Sequence, residues 1–287
     1  MVTSKAPKTT WNWLGLLPFF IFAIAFLLIP SASLFIDSFR NNNGQFTFDN
    51  ILNLSQPPIP ESYSMSIRVS AFTALLGGII GFLLAYAITI GGLPGWVKSM
   101  VMTFSGVASN FAGVPLAFAF ISILGRTGLV TVLLKGLGID LYNQGFSLYS
   151  FLGLSLCYTY FQFPLMVLIM VPAIEGLRRE WREAAENLGA SSWQYWRYVG
   201  LPILLPSVLA TMILLFGNSF GAYATALSLT GGRLPLVTIQ IGAQIRGDVL
   251  HNANLGYAMA LGMVVIMAIC ILTYTWLQRW TERWVKQ

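Results

Sequence analysis

Six long apolar stretches dominate this sequence of 287 residues. They run from Trp13 to Phe35, Ser66 to Ile90, Ser99 to Leu124, Leu148 to Ile174, Leu201 to Leu229 and Leu255 to Leu277. A helix needs roughly twenty apolar residues to cross the hydrocarbon of a bilayer, and each stretch is long enough. A soluble core cannot absorb a composition that is 56% hydrophobic and only 9% charged. We therefore predict an all-α membrane protein with six transmembrane helices, in which residues 13–280 form the membrane domain.

Lysine and arginine placement predicts the orientation, because cytosolic loops carry an excess of both. With the N-terminus inside, ten of the 16 lysines and arginines lie on the cytosolic side and six on the outer side. We therefore expect residues 1–12 and 281–287 to be cytosolic segments. Lys5 and Lys8 before an apolar run also resemble a secretory signal. The run continues through Ile36, which favours an uncleaved anchor.

A charged segment at about residues 175–200 separates the fourth and fifth stretches. Its apolar residues recur at helical spacing and form one stripe: Leu177, Trp181, Ala184, Ala185 and Leu188. Gly189 can supply a left-handed cap that ends this first helix. Ser191 and Gln194 then read as a capping box that opens a second helix. From periodicity alone, the segment could equally be a surface helix that packs against neighbouring membrane helices.

This segment resembles the EAA loop of permease subunits in binding-protein-dependent ATP-binding cassette (ABC) importers. The usual form of that loop is Glu-Ala-Ala, three residues, Gly, nine residues and Ile-x-Leu-Pro. Here Glu183, Ala184 and Ala185 are followed by Gly189, and the pattern closes with Val199-Gly200-Leu201-Pro202. Val199 in place of Ile is the one departure among the fixed positions.

The resemblance implies a multi-pass protein of the bacterial inner membrane with the permease fold of a type I ABC importer and a cytosolic coupling helix that docks on an ATPase. Glu183 would contact that partner, Ala184 and Ala185 would allow close approach, and Gly189 would make the turn. Leu201 and Pro202 would set the return into the fifth span. The implied partners are two ATP-binding subunits, a second permease subunit in a homodimer or heterodimer, and an extracytoplasmic solute-binding protein.

No residue pattern predicts catalysis, a metal site or a bound cofactor in this chain. A phosphate-binding G-x-x-x-x-G-K-[ST] run is absent, so ATP and Mg²⁺ are expected on the partner subunit. His251, near Asp248, is the only histidine, which excludes multi-histidine zinc sites. Cys157 and Cys270 both fall in apolar stretches and read as small buried hydrophobes. The net charge of +6 fits residues flanking membrane spans rather than a nucleic-acid surface.

Uncharged polar side chains within the spans are the candidates for a translocation pathway. They are Asn110 in the third span, Tyr158, Tyr160 and Gln162 in the fourth, and Asn218, Ser219 and Tyr223 in the fifth. They can offer hydrogen bonds and aromatic faces to a polar solute. Each could instead bond across helices in a purely structural role. Charged residues are essentially absent from the middle of the spans, which argues against a proton-coupled secondary carrier.

The layout of the whole chain is similar to the spermidine and putrescine branch of these permeases. The run Phe220-Gly221-Ala222-Tyr223-Ala224-Thr225 and the segment from Gln240 to Gly247 carry that similarity. It implies a small polar solute, with a polyamine as one hypothesis and ferric iron, phosphonate or another solute as the alternative. A carrier or channel without an ATPase is the alternative from another class. A membrane-embedded enzyme lacks any plausible nucleophile and base.

Overall fold

A computed structural model describes residues 15–247 and 252–285 of the chain. This part is helical and contains no β-strand. The shorter helices on the N-terminal side of the bundle are α1 (Leu17–Ala23), α2 (Ile29–Ser38) and α3 (Asp49–Asn53). They are followed by α4 (Ile59–Ile90), α5 (Gly95–Asn110), α6 (Gly113–Leu124), α7 (Leu129–Gly136) and α8 (Phe151–Glu175). The remaining helices are α9 (Arg179–Asn187), α10 (Ser192–Tyr195), α11 (Leu201–Phe220), α12 (Ala224–Thr230), α13 (Val237–Arg246) and α14 (Ala253–Val285).

Six helical segments of the described chain are long and apolar enough to cross a membrane, as predicted. They are Leu17–Ser38, Ile59–Ile90, Gly113–Gly136, Phe151–Glu175, Ser192–Phe220 and Ala253–Arg279. The prediction of a six-helix membrane protein is therefore confirmed. The predicted bounds of the spans are less accurate, and two of the six predicted spans are not continuous helices.

The third predicted span is interrupted between α5 and α6. Gly113 has a φ of +75°, a left-handed conformation that cannot continue a right-handed helix and that glycine adopts without strain. Pro115 has no N–H to donate to the carbonyl of Phe111, which removes a bond that would bridge the gap. The expectation of one continuous helix from Ser99 to Leu124 was therefore wrong.

The fifth predicted span is also interrupted, between α11 and α12. Gly221 ends α11, and α12 begins at Ala224. Glycine has a low helix propensity because it loses more backbone freedom than other residues when it enters a helix. A helix end at this point leaves carbonyl groups that need other partners. The expectation of a continuous helix from Leu201 to Leu229 was wrong as well.

Helix α5 runs beside α8, so α5 and α6 together line the length of that helix. At one end, the ammonium of Lys98 contacts the carboxylate of Glu175, the last residue of α8. Beyond the break, the ring of Phe120 on α6 packs edge-on against Tyr160 of α8, with centroids 5.9 Å apart. Length and apolarity alone select residues 113–136 as the third span. The contact of Lys98 with Glu175 and the packing of α5 along α8 show that α5 is also part of the bundle.

The bundle core forms where α4 packs against α8. Glycines on α4 permit the close approach, because a Cβ at Gly81 would lie 2.4 Å from the carbonyl oxygen of Phe163. Beside this contact, Gln162 of α8 donates from Nε2 to Oγ1 of Thr73 on α4 at 2.9 Å. Both residues are fully buried, with 0% exposure. The hydrogen bond therefore fixes the register of the two helices in a region where water cannot compete.

A π-helical turn precedes a proline at two places in the described chain. The turns comprise Ile24–Leu28 and Trp196–Gly200, and Pro30 and Pro202 follow them. In each turn an N–H bonds five residues back, from Ile29 to the Ile24 carbonyl and from Leu201 to the Trp196 carbonyl. Proline lacks an N–H and its ring clashes with the carbonyl four residues earlier. A wider turn before the proline accommodates both effects.

The bond between Thr73 and Gln162 leads to an asymmetric prediction for stability. Thr73→Val is expected to destabilise the protein by about 1–2 kcal/mol, because it leaves the buried Nε2 of Gln162 without an acceptor. Gln162→Leu removes the whole amide, including an Oε1 that has no partner among the described residues, and is expected to cost less. The midpoint of thermal unfolding in detergent measures both changes.

The matched control is Thr89→Val on the same helix. The Thr89 hydroxyl bonds only within α4, to the Ala85 carbonyl at 2.7 Å, so its loss should change the midpoint little. A larger loss for Gln162→Leu than for Thr73→Val would contradict the structural role assigned to this bond.

Candidate functional site

The α8–α11 segment (residues 176–200) turns at Gly189 as the sequence predicted. Gly189 has a φ of +78° and follows the C-terminal end of α9. The Ala190 N–H donates to the Ala185 carbonyl at 3.0 Å, and the Gly189 N–H donates to the Glu186 carbonyl at 2.9 Å. These two bonds define a Schellman motif, which satisfies carbonyls that the helix end would leave free. The position of the turn is therefore fixed by backbone chemistry.

The second short helix opens with the predicted capping box. The Ser191 hydroxyl accepts from the Gln194 N–H at 3.3 Å, and the Gln194 side chain accepts from the Ser191 N–H at 2.7 Å. Only one residue, Ala190, separates Gly189 from Ser191. The cap that ends α9 and the cap that begins α10 are therefore adjacent in the chain, which fixes the local geometry of the two short helices.

Helix α9 presents an exposed surface of mixed character. No residue of α9 is buried, and Leu188 directly after it is 88% exposed. Arg179 donates to Glu183 and Arg182 donates to Glu186, each at 2.9 Å and each between exposed side chains. Of the predicted apolar stripe, Leu177 packs against the bundle core, whereas Trp181, Ala184 and Leu188 remain exposed. Three large apolar side chains, Trp181, Leu188 and Trp193, are exposed within this one segment, and such a concentration is typical of a surface that meets another protein.

The other residues of the motif lie on α9 and at the start of α11. Ala184 is exposed, and Ala185 is partly buried near the helix end. Leu201 is 41% exposed and begins α11, and Pro202 is its second residue, whose missing N–H the wider turn before it accommodates. The segment therefore joins α11 through the π-helical turn at Trp196–Gly200 without an intervening loop.

Two of the predicted pathway residues share one cavity of about 890 Å³. Asn110 is the last residue of α5, and Asn218 lies in the last turn of α11. Both side chains are exposed in this chain, and the Asn110 amide also donates to the Gly106 carbonyl at 2.9 Å. The lining contains no charged residue. The cavity therefore offers amide and hydroxyl groups on a mostly apolar wall.

Two further polar residues of this cavity were not predicted. Ser109 on α5 and Tyr274 on α14 line it together with the two asparagines. Tyr274 is a polar aromatic residue within the sixth apolar stretch, and that property could have marked it as a candidate. Ser109 carries no such signal, since serine commonly bonds to its own helix backbone.

Three other predicted pathway residues face the interior of the bundle. The Tyr158 hydroxyl donates to the Ala222 carbonyl at 2.9 Å, and Gln162 bonds to Thr73 as described above. Ser219 donates to the Leu215 carbonyl of its own helix at 3.1 Å. The structure places all three in structural hydrogen bonds.

The last two predicted residues lie apart from the 890 Å³ cavity. The ring of Tyr160 packs edge-on against Phe111 and Phe120, with centroids 6.3 and 5.9 Å away. Tyr223 lines a smaller cavity of about 250 Å³ with residues of α13, including Arg246. The seven predicted pathway residues therefore lie in four different places: the 890 Å³ cavity, the aromatic cluster, the smaller cavity and the core of the bundle.

The two helix breaks are joined to each other by a hydrogen bond. The Gly113 N–H at the start of α6 donates to Oγ1 of Thr225 on α12 at 2.8 Å. The Tyr158 hydroxyl satisfies the Ala222 carbonyl at the second break. Non-helical backbone is tolerated at membrane depth only where protein or water satisfies its polar groups. The breaks are therefore stabilised by specific partners.

Metal-binding clusters of three or more His, Cys, Asp or Glu residues do not occur within residues 15–247 and 252–285. His251 and Asp248, which the sequence places near each other, lie outside the described residues. Cys157 is buried in the core, and Cys270 is partly buried.

The sequence and the fold both match known transport proteins. Residues 77–287 match the family of binding-protein-dependent transport system inner membrane components. The chain is 25% identical to the probable sulfate transport system permease protein cysT of Helicosporidium sp. subsp. Simulium jonesii, over 87% of each chain. It is 26% identical to the spermidine/putrescine transport system permease protein PotB of Haemophilus influenzae, over 89% of this chain and 90% of that protein.

A solved structure shares the fold. A chain of a bacterial ABC transporter that imports the acidic polysaccharide alginate superimposes with a TM-score of 0.72 and 19% identity. The superposition covers 93% of this chain and 94% of that one. With the motif, the six apolar helices and the family match over most of its length, the chain belongs to the binding-protein-dependent transport system inner membrane components.

Proposed function

We propose that this chain forms half of the translocation pathway of an ATP-driven importer for a small polar solute. The observation that carries the proposal is the α8–α11 segment, whose exposed surface is held in a defined shape by the Schellman motif and the capping box. A surface of this kind suits docking on a soluble partner, because docking then orders few additional residues.

The partner that supplies energy is an ATP-binding subunit. The chain lacks a phosphate-binding loop, so ATP and Mg²⁺ belong to that subunit, and two copies would serve two permease subunits. Glu183 already lies in an exposed ion pair with Arg179, so docking exchanges one exposed contact for another at little cost. The second permease subunit, identical or different, would complete the pathway. An extracytoplasmic solute-binding protein would deliver the cargo.

In this proposal the α8–α11 segment faces the cytosol, and so do both ends of the chain. The excess of lysine and arginine on that side supports this orientation. The contact of Lys98 with Glu175 also brings the loop between α4 and α5 to the same side as the segment. ATP binding would draw the segments of the two permease subunits together, and the cavity would open alternately to the two sides of the membrane.

The chemistry of the cavities favours an oxyanion such as sulfate over a polyamine. Neither cavity is lined by a carboxylate, which a polyamine dication needs as compensation for its lost water. The amides of Asn110 and Asn218 can donate hydrogen bonds to an oxyanion, and Arg246 lines the smaller cavity beside Tyr223. The matches to permeases named for sulfate and for spermidine/putrescine leave both solutes open.

Substitution of two glutamates can distinguish an effect on docking from an effect on helix stability. Glu183 and Glu186 form equivalent exposed i,i+4 ion pairs, so replacing either by Ala should change helix stability by a similar, small amount. We expect Glu183→Ala to reduce both co-purification of the ATP-binding subunit and solute uptake by about tenfold, the effect of losing one interface hot spot. Glu186→Ala should stay near the parent level. Equal losses for the two variants would contradict a specific role for Glu183.

The shared cavity gives a second test. Asn110→Leu and Asn218→Leu are each expected to lower uptake of labelled sulfate by about tenfold, because each removes an amide that can bond to the solute. Co-purification of the ATP-binding subunit should not change. Thr275→Val is the control, since that hydroxyl bonds to the Ile271 carbonyl of its own helix. Uptake of labelled putrescine rather than sulfate by the parent protein would contradict the oxyanion assignment.

A further inference from the structure

Two apolar residues of the α8–α11 segment pack against the core of the membrane bundle: Leu177, next to α8, and the aromatic residue Trp196, next to α11. Helix α9 buries no residue, and α10 buries only Tyr195. In the π-helical turn that follows, Trp196 is partly buried and packs against the core cluster that α4, α8 and α11 share. Its ring meets the ring of Tyr86 on α4 edge-on, with centroids 4.9 Å apart.

Gly200 provides the space that the Trp196 ring occupies. A Cβ added at Gly200 would lie 2.8 Å from Cε3 and 3.0 Å from Cζ3 of that ring. The indole is a rigid plane, so the clash cannot be relieved by rotation of a flexible side-chain end. Gly200 is the variable position of the Val199-Gly200-Leu201-Pro202 run, so the motif itself does not predict this requirement. Glycine is required at position 200 because a side chain would collide with the Trp196 ring, and not because the backbone needs the conformational freedom of glycine.

Helix α4 has no direct chain connection to the α8–α11 segment, unlike α8 and α11. A displacement of the segment can therefore reach this end of α4 only through side-chain contacts or through other helices. The contact of Trp196 with Tyr86 reaches α4 directly, because Tyr86 lies one turn before the end of α4 at Ile90. Packed aromatic rings transmit small displacements because interiors are dense and barely compressible.

We propose that Trp196, seated between Gly200 and Tyr86, is a positioning residue that transmits movement of the α8–α11 segment to α4. The inference rests on the proposed function, since the movement comes from the ATP-binding subunit. Helix α4 in turn packs along α8 and α11, which line the cavity of Asn110 and Asn218. The aromatic contact therefore connects the docking surface with a helix that supports the cavity wall.

The test compares a fluorescent label at two positions, one in each of two proteins, with the full chain assembled with its ATP-binding subunits. Cys157 and Cys270 are replaced by Ala, and a single cysteine is introduced at Ser192 on α10 or at Ala87 on α4. Both positions are exposed. The signal change on adding ATP and vanadate is recorded at each site. In the parent protein we expect both labels to respond.

Gly200→Ala is expected to keep the response at position 192 and to lower the response at position 87 about tenfold. Adding Trp196→Phe to Gly200→Ala shrinks the ring and should restore much of the response. Tyr86→Phe should behave as the parent, since the contact uses the ring. Gly136→Ala is the control glycine, because a Cβ there meets nothing within 4 Å.

Tyr86→Leu provides an independent variant, because it removes the ring partner and leaves the π-helical turn intact. It is expected to lower the response at position 87 as Gly200→Ala does. An unchanged response at position 87 in both Gly200→Ala and Tyr86→Leu would overturn the inference while the proposed function stands. No response at position 192 in the parent protein would overturn the proposed function and the inference with it.

Discussion

The need to satisfy every backbone polar group in a dry environment determines how this bundle is built. Two helices break near the cavity, between α5 and α6 and between α11 and α12, and each break exposes groups that hydrocarbon cannot bind. Thr225 accepts from the Gly113 N–H, and Tyr158 donates to the Ala222 carbonyl. Because one break supplies a partner to the other, the two depend on each other. The same arrangement brings Asn110 and Asn218, at the ends of the broken helices, to one cavity.

The α8–α11 segment has the opposite physical character. Its helices are short and exposed, and their shape comes from local bonds: a Schellman motif after α9 and a capping box before α10. A short helix without tertiary packing is marginal in water, so such a segment gains stability from a partner. Its attachment to the bundle through Trp196 is, in contrast, tightly packed. Exposed short helices joined to a tightly packed anchor residue suit a segment that docks on a partner and transmits its movement to the bundle.

The sequence predicted those features that local physics decides. Hydropathy and length identified the membrane helices, and the spacing of Gly189, Ser191 and Gln194 predicted the turn and the cap. The helix breaks could not be predicted, because the apolar run continues through Phe111 and through Ala222 without a change in hydropathy. Their stability comes from residues more than fifty positions away. For the same reason, composition could not separate the cavity residue Asn218 from the structural residue Ser219, its neighbour.

The most direct test of the central claim, that the α8–α11 segment docks on an ATP-binding subunit, is photo-crosslinking from position 188 in intact cells. Leu188 is 88% exposed and directly follows α9, so a photoreactive side chain there would touch the partner without disturbing the bundle. We expect a crosslink to a nucleotide-binding polypeptide, and no reaction of a cysteine at position 188 with a membrane-impermeant reagent added outside. A crosslink only to lipid, or labelling from outside, would contradict it.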